Sequence, residues 1–497
     1  MNRVRPRPGA VVAARTLLLC VCGVLAPTQL ARAQQCPDGT PPPCAARAAT
    51  PRPPSVVILF MEPRSRNAAD SLLAEGLTLE IINTLSGVAR LDVRSRWASR
   101  RIAADADPVR GARALGVDYL VDGVLELDSA RVLVRGALTR TSTGRVVRPL
   151  RIERRRAELE GLQVAVAQEI AAAVVGQLLP AERARFVARR VDSRVMELLL
   201  SARALRQQYT AAAIRQALVL ARQAIVIDST YAPAWVQLSW SYTLLRDFEP
   251  DSEAAYATRG MAASERALAL DSSNGAAMSL LAAHRGWRNE LSPQTEALVR
   301  RGAAQEPGVE SSSALALVLE MVGKVDDALA VIREAAGRDS LSPVIWASAA
   351  YRFEQARHFM EAARAWERAL ALRPSARDSL PLQRARRWAR LERGDCTGSL
   401  ADGRAVPDMF LIIESLRCLG RMAEADSIID SRLALSTVSS GSRAILLAWR
   451  NQPDSAFAVL DRAFPPGLDL VLQHPAFDPY RRHPAYLALR RRMGLQQ

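Results

Sequence analysis

The feature that most constrains this chain is a recurrence in its carboxy-terminal two-thirds. Asp228-Ser229, Asp271-Ser272, Glu306-Pro307, Asp339-Ser340 and Arg373-Pro374 mark successive steps of 43, 35, 33 and 34 residues. A period near 34 with apolar residues at helical spacing means a helix pair as the unit. One such pair cannot bury its own apolar face, so the units must stack on their neighbours. A single compact fold is thereby excluded for most of the 497 residues, and an elongated helical array is expected.

The clearest unit carries Trp346, Phe353, Phe359, Ala362, Trp366, Ala369 and Pro374, and Ala328 and Ala335 stand one period before Ala362 and Ala369. Trp235, Leu238, Ser239 and Tyr242, with Ala217 and Ala224, repeat the theme upstream. Small residues are needed there because two helices approach closely only where the crossing point lacks bulk. This pattern resembles the tetratricopeptide family over residues 191–497, with six to eight helix pairs, and the segment Leu470–Leu495 resembles the capping end of such arrays. The resemblance implies a groove lined by the first helix of each pair and suited to a protein or peptide partner. Its register turns Gln237, Trp240, Trp287, Tyr351 and Glu354 toward that groove.

Residues 55–185 alternate between strand and helix signals. Val56–Phe60 reads as a buried strand, Ala68–Ser86 as a helix with Leu72, Leu73, Leu77, Ile81, Ile82 and Leu85 at its spacing, and Leu91–Arg94 as a short strand. Pro108 opens a helix that Gly116 stops. Tyr119–Leu127 and Arg131–Thr139 flank the turn Asp128-Ser-Ala130, Arg145–Ile152 adds a third strand, and a helix over 162–179 follows. The runs Ser55-Val-Val-Ile-Leu-Phe60, Ala74-Glu-Gly-Leu-Thr-Leu-Glu-Ile-Ile-Asn-Thr-Leu85 and Ala112-Arg-Ala-Leu-Gly-Val-Asp-Tyr-Leu-Val-Asp-Gly-Val124 resemble the TolB amino-terminal-like domain. That module is often fused to tetratricopeptide repeats in bacterial regulators and adenylate-cyclase-associated proteins. The resemblance implies protein interaction or sensing, with no catalytic residues to carry over. The chain departs from it at Met61-Glu-Pro-Arg-Ser-Arg66, where the family has an Asn-rich turn.

The first 33 residues read as an address. Arg3, Arg5, Arg7 and Arg15 precede the short apolar run 16–26, and Ala31-Arg-Ala33 supplies a cleavage site, the pattern of a secretory signal peptide cut after Ala33. The run is about half of the roughly 20 residues that a membrane span requires. A proline-rich linker over 34–54 follows. Export to the periplasm or beyond places Cys36, Cys44, Cys396 and Cys418 in an oxidising compartment. Of three possible pairings, Cys36 with Cys44 closes a turn-rich loop, and Cys396 with Cys418 joins the start of one helix to the end of the next, which antiparallel packing brings together.

A formal charge of +16 and a pI near 10.5 raise the question of nucleic acid. Lys324 is the only lysine, so the positive charge is almost entirely arginine, as a codon bias produces. Loss of the leader removes five arginines and no acid, leaving +11 spread along the chain. The basic clusters over 148–156 and 490–492 sit beside acids or on a solvated helix face, so no nucleic-acid partner is expected. No G-x-S-x-G, H-E-x-x-H, G-x-G-x-x-G or phosphate-loop motif occurs, and Gly323-Lys324 is followed by Val325. His284 reads as a surface or helix-end histidine, Glu62 as a solvated turn residue, His474 and His483 as helix-start residues, and Asp326-Asp327 as favourable charges at a helix amino terminus. The sequence thus predicts a mixed fold, a small α/β domain followed by an all-α solenoid, acting as a non-enzymatic exported interaction scaffold. No catalytic residue, metal or cofactor is expected. The other reading is a free-standing sensory module that binds a small ligand and signals to an envelope partner.

Overall fold

The computed structural model describes residues 52–65, 67–183, 186, 191–249, 252–465 and 467–495. The signal peptide, its cleavage site and the pairing of Cys36 with Cys44 lie outside the described residues.

The amino-terminal part is built on β1 (Ser55–Ile58), β2 (Glu62–Pro63), α1 (Ala68–Ser86), β3 (Asp92–Val93), α2 (Arg96–Ala103), α3 (Pro108–Ala114), β4 (Tyr119–Leu127), β5 (Arg131–Arg140), β6 (Arg145–Arg155), α4 (Leu159–Val175) and the short α5 (Pro180–Arg183). The strands form one mixed six-stranded sheet in the order β3-β1-β4-β5-β6, with β2 also paired to β4. Strand β1 runs parallel to β3 and β4, and β4, β5 and β6 form an antiparallel meander. Val56 and Ile58 enter the core under α1 and α4, while Val57 and Leu59 enter a second core with Ala98, Ile102 and Ala112 of α2 and α3. A strand covered on both faces has no need of polar alternation, which is why β1 reads as a continuous apolar run. The outer strand β6 presents Arg145, Arg148, Arg151, Arg154 and Arg155 to solvent, and charge of this kind protects a sheet edge from pairing with another chain.

Helix α1 begins where Asn67 Oδ1 accepts from the Ala69 amide, and α3 where Asp107 caps the turn entered by Pro108. Helix α2 is absent from the sequence reading because Arg96-Trp97-Ala-Ser-Arg-Arg101 holds too few apolar residues to show a period.

The rest is a solenoid of stacked antiparallel helix pairs. Its pairs are α6 (Ser193–Gln207) with α7 (Ala211–Ile227), α8 (Ala232–Leu245) with α9 (Glu253–Leu270), α10 (Gly275–Trp287) with α11 (Pro293–Gln305), and α12 (Val309–Met321) with α13 (Val325–Arg338). Then follow α14 (Pro343–Gln355) with α15 (Phe359–Leu372), α16 (Ala376–Glu392) with α17 (Cys396–Ala405), α18 (Met409–Cys418) with α19 (Met422–Leu433), and α20 (Ser440–Trp449) with α21 (Pro453–Ala463). The helices α22 (Leu468–Leu472) and α23 (Pro484–Arg492) end the chain. Ala217, Ala224, Ala328, Ala335, Ala362 and Ala369 are all buried, as close crossing requires. In two repeats an indole ties down the preceding turn: Trp235 Nε1 donates to Ser229 O at 3.0 Å and Trp346 Nε1 to Ser340 O at 2.9 Å.

Two long-range contacts shape this arm. At the amino-terminal junction α1 packs on α6 so closely that a Cβ on Gly76 would stand 2.2 Å from the Leu200 carbonyl oxygen. At the other end, the terminal segment packs on α20 and α21 and also folds back on the middle repeats. Leu291 N donates to Met493 O at 2.7 Å, Gln473 Nε2 to Glu320 O at 3.0 Å, and Leu291 and Met321 share a core with Phe457, Phe477, Tyr486 and Met493.

Candidate functional site

The inner face of the solenoid holds a chamber of about 270 Å³. Its walls come from α6, α8, α10, α12, α14 and α15, and Arg96 and Trp97 of α2 complete it from the α/β domain. Helix α2 is held there by two bonds that span the sequence: Ser95 Oγ donates to Asp339 Oδ1 at 2.8 Å, and Arg96 Nη1 to Glu310 Oε1 at 3.2 Å.

Aromatic residues make up only 5% of the chain, yet Trp97, Tyr209, Trp240, Trp287, Tyr351 and Trp366 all line this one space. They are fixed by neighbours. Tyr351 meets Trp366 edge-on at 4.9 Å, the Arg206 guanidinium lies 4.9 Å from the Trp240 ring centre, and that of Arg246 lies 3.6 Å from the Trp287 ring centre. Such cation–π contacts strengthen as water is excluded.

The polar lining consists mainly of donors. The side chain of Arg206, at the end of α6, is buried, and burial pushes its pKa down to about 9, so it remains a cation at neutral pH. No ion pair among the described residues involves it, and its Nε has no hydrogen-bond partner. Of the two carboxylates whose charge it feels, Glu310 already accepts from Arg96, and Glu306 Oε2 accepts from the Ala276 amide at 2.9 Å. Burial works to raise the Glu310 pKa, but Arg96 and Arg206 outweigh it and hold the carboxyl below its usual range. Arg96 Nε, Arg352 Nη1, Ser279 Oγ and Ser313 Oγ are likewise buried without hydrogen-bond partners.

Of the five groove residues read from the sequence, the structure brings Trp240, Trp287 and Tyr351 together in the chamber. Gln237 is buried within the helix packing, and Glu354 is buried behind the wall, where it accepts from Trp366 Nε1 at 2.7 Å and pairs with Arg384. Arg96, Trp97 and Arg206 escape the repeat register because two belong to another domain and the third is an arginine among many. The repeat register marks Trp240 and Trp287, but no local sequence signal places Trp97 and Trp366 in the chamber with them.

His284 lies in the last turn of α10, as a helix-end histidine does, but it is not at the surface. It is fully buried, its ring fills the space a Cβ on Gly260 would occupy, and Nε2 lies 3.2 Å from both Ser239 Oγ and Thr243 Oγ1. Burial, helped by the charge of Arg246, pushes its pKa down to about 3, so it is a neutral core residue. Glu62 is exposed at β2, and His474 and His483 cap the helical turns that follow them. In the basic clusters Arg148, Arg151, Arg155, Arg156 and Arg492 face Glu169, Glu153, Glu158, Glu197 and Asp461. Cys396 and Cys418 stand at the start of α17 and the end of α18, with Cα atoms 6.0 Å apart and their sulfurs within bonding distance. Among the described residues no group of acidic, His and Cys side chains could hold a metal ion, and no helix is long and apolar enough to cross a membrane.

The chain is thus a helical-repeat protein with an aromatic-lined chamber. No family model matches the chain. Among curated proteins it is 27% identical over 191 residues to putative adenylate cyclase 3 of Rhizobium meliloti (strain 1021), a stretch that is 38% of this chain and 32% of that protein. The chain therefore spans about a third of the curated relative it matches. Among solved structures, a thermophilic TPR protein of Thermus thermophilus is 16% identical, with a TM-score of 0.32, over 38% of this chain and 98% of that one. YrrB, a TPR protein with an unusual peptide-binding site, is 16% identical at a TM-score of 0.25, over 37% and 90%. The human IFIT1 dimer with m7Gppp-AAAA is 10% identical at a TM-score of 0.40, over 82% and 97%. At such identities and scores these likenesses bear on neither the partner nor the ligand of this chain.

Proposed function

We propose that this chain is a non-enzymatic, exported interaction scaffold of the cell envelope, in which a TolB amino-terminal-like domain precedes a tetratricopeptide solenoid that receives a protein or peptide partner on its inner face. The observation that carries the reading is the convergence of Trp240, Trp287 and Tyr351 on one chamber rich in unmatched donors. Aromatic and arginine side chains of this kind dominate recognition energetics. The leader pattern and the contact between Cys396 and Cys418 support an oxidising compartment. The test is capture of a partner from the envelope fraction by the full chain, with Trp240→Ala and Tyr351→Glu beside it. A partner held by the parent and released by both variants supports the reading, and one held equally by all three overturns it.

A second reading follows from α2. Because Arg96 and Trp97 complete the chamber, an occupant touches the α/β domain and the solenoid at once. On that reading the chain is a sensory or regulatory module in which a small ligand sets the relation between its two parts.

A further inference from the structure

The chamber is specific about what it lacks. Its buried groups without hydrogen-bond partners include the Nε atoms of Arg96 and Arg206, Arg352 Nη1, and the hydroxyls of Ser279 and Ser313. Every nitrogen among them is a donor, so a matching occupant supplies acceptors. The charges narrow it further. Arg96 faces Glu310 and Arg352 faces Glu320, both as ion pairs, whereas Arg206 has no such partner among the described residues. A buried cation with no carboxylate in direct contact, the two it feels (Glu310 and Glu306) being bonded elsewhere, is costly to keep. Its dehydration is already complete before an anion arrives, so pairing gains more there than at an exposed arginine.

The walls specify the remainder of the occupant. Flat faces of Trp97, Trp240, Trp287 and Tyr351 suit a planar, unsaturated body, and about 270 Å³ is near the lower end of small-molecule sites, which run from about 300 Å³ upward. Arg206, whose charge Glu310 shares with Arg96, matches one negative charge better than the roughly two of a phosphate monoester.

We propose that the chamber binds a small aromatic monocarboxylate, with its carboxylate on Arg206 and its ring system against the tryptophan walls. This rests on the second functional reading and gives it a ligand class. Contact with Arg96 and Trp97 on one side and Arg206 and Trp240 on the other makes the ligand a bridge between the domain and the arm.

The experiment titrates the full chain with 2-naphthoate, 2-naphthamide and 2-naphthyl phosphate, following tryptophan fluorescence and calorimetry. The expected result is that the carboxylate binds about tenfold or more tighter than the amide and also tighter than the phosphate, since a charge-assisted pair is lost or mismatched in the others. Arg206→Met removes that preference while Arg206→Lys restores part of it, and circular dichroism shows both variants folded. Equal affinity for amide and carboxylate, preference for the phosphate, an unchanged Arg206→Met, or no binding of any probe overturns the proposal. Failure of every probe while the ligand-free chain still holds an envelope partner through Trp240 and Tyr351 removes the small-anion site and leaves the scaffold reading standing. If a small molecule other than these anions shifts the melting temperature, the ligand class falls and the sensory reading survives.

Discussion

Arg352 Nε stands 2.9 Å from Glu320 Oε2, and the arginine that neutralises this buried carboxylate also lines the chamber. Asp469 of the folded-back terminal segment feels both charges, so chamber and chain end share one electrostatic cluster. Burial pushes Glu320 up to about 7, and burial with the neighbouring Glu320 charge pushes Asp469 up to about 7.

A pH dependence follows with a definite sign. Both folded pKa values lie above the unfolded ones, so the stability these groups contribute is complete below about pH 4 and is lost as pH rises through 7. Asp469→Asn keeps the neutral shape at every pH. It is expected to match the parent below about pH 4 and exceed it by about 1–3 kcal/mol at pH 8 in denaturant unfolding. A difference that does not change with pH contradicts this.

Gly76 sets the junction between α1 and α6. With Leu200 O only 2.2 Å from where its Cβ would stand, Gly76→Ala must push backbone away from backbone. The expected loss is about 2–4 kcal/mol, at the upper end for overpacking because no flexible side chain can yield. Urea unfolding measures it, and a loss under about 0.5 kcal/mol, the range of an ordinary surface change, contradicts so tight a junction.

His284 makes the opposite acid prediction. Its folded pKa near 3 lies below the unfolded value, so its contribution is present above about pH 6.5 and is lost as pH falls toward 3. In proton NMR its ring resonances are expected to stay constant from pH 8 to pH 4. A midpoint near 6.5 contradicts its burial beneath Gly260.

Cys396 and Cys418 close a span of 22 residues. An oxidised pair is expected to stabilise the repeats around α17 and α18 by about 3 kcal/mol. Reductant and Cys396→Ser should therefore lower the same calorimetric transition by equal amounts. A parent indifferent to reductant shows that the bond does not form.

Much of this architecture is legible in the residues because it is local. Helix α1 emerges over Ala68–Ser86 from its apolar spacing alone, and the crossing alanines follow from the period. The same register selects Trp240, Trp287 and Tyr351, since repeating geometry turns repeating positions toward one face. The closure of the chamber is not local. Ser95 and Asp339 are 244 residues apart, far beyond the reach of any single repeat, and only the curvature of the whole stack brings α2 to α12 and the end of α13. His284 fails for a related reason: one histidine in an apolar helix carries no sign of the glycine on the neighbouring helix that makes room for it.

The proposed recognition in the inner chamber can be tested in the cell. The direct measurement is photo-crosslinking in intact cells with a benzophenone side chain at position 351, which lines the chamber, and at position 226 on α7, where Val226 is 86% exposed and outside it. An adduct from position 351 that Trp240→Ala abolishes is expected, and none from position 226. Adducts from position 226 with none from position 351 contradict it.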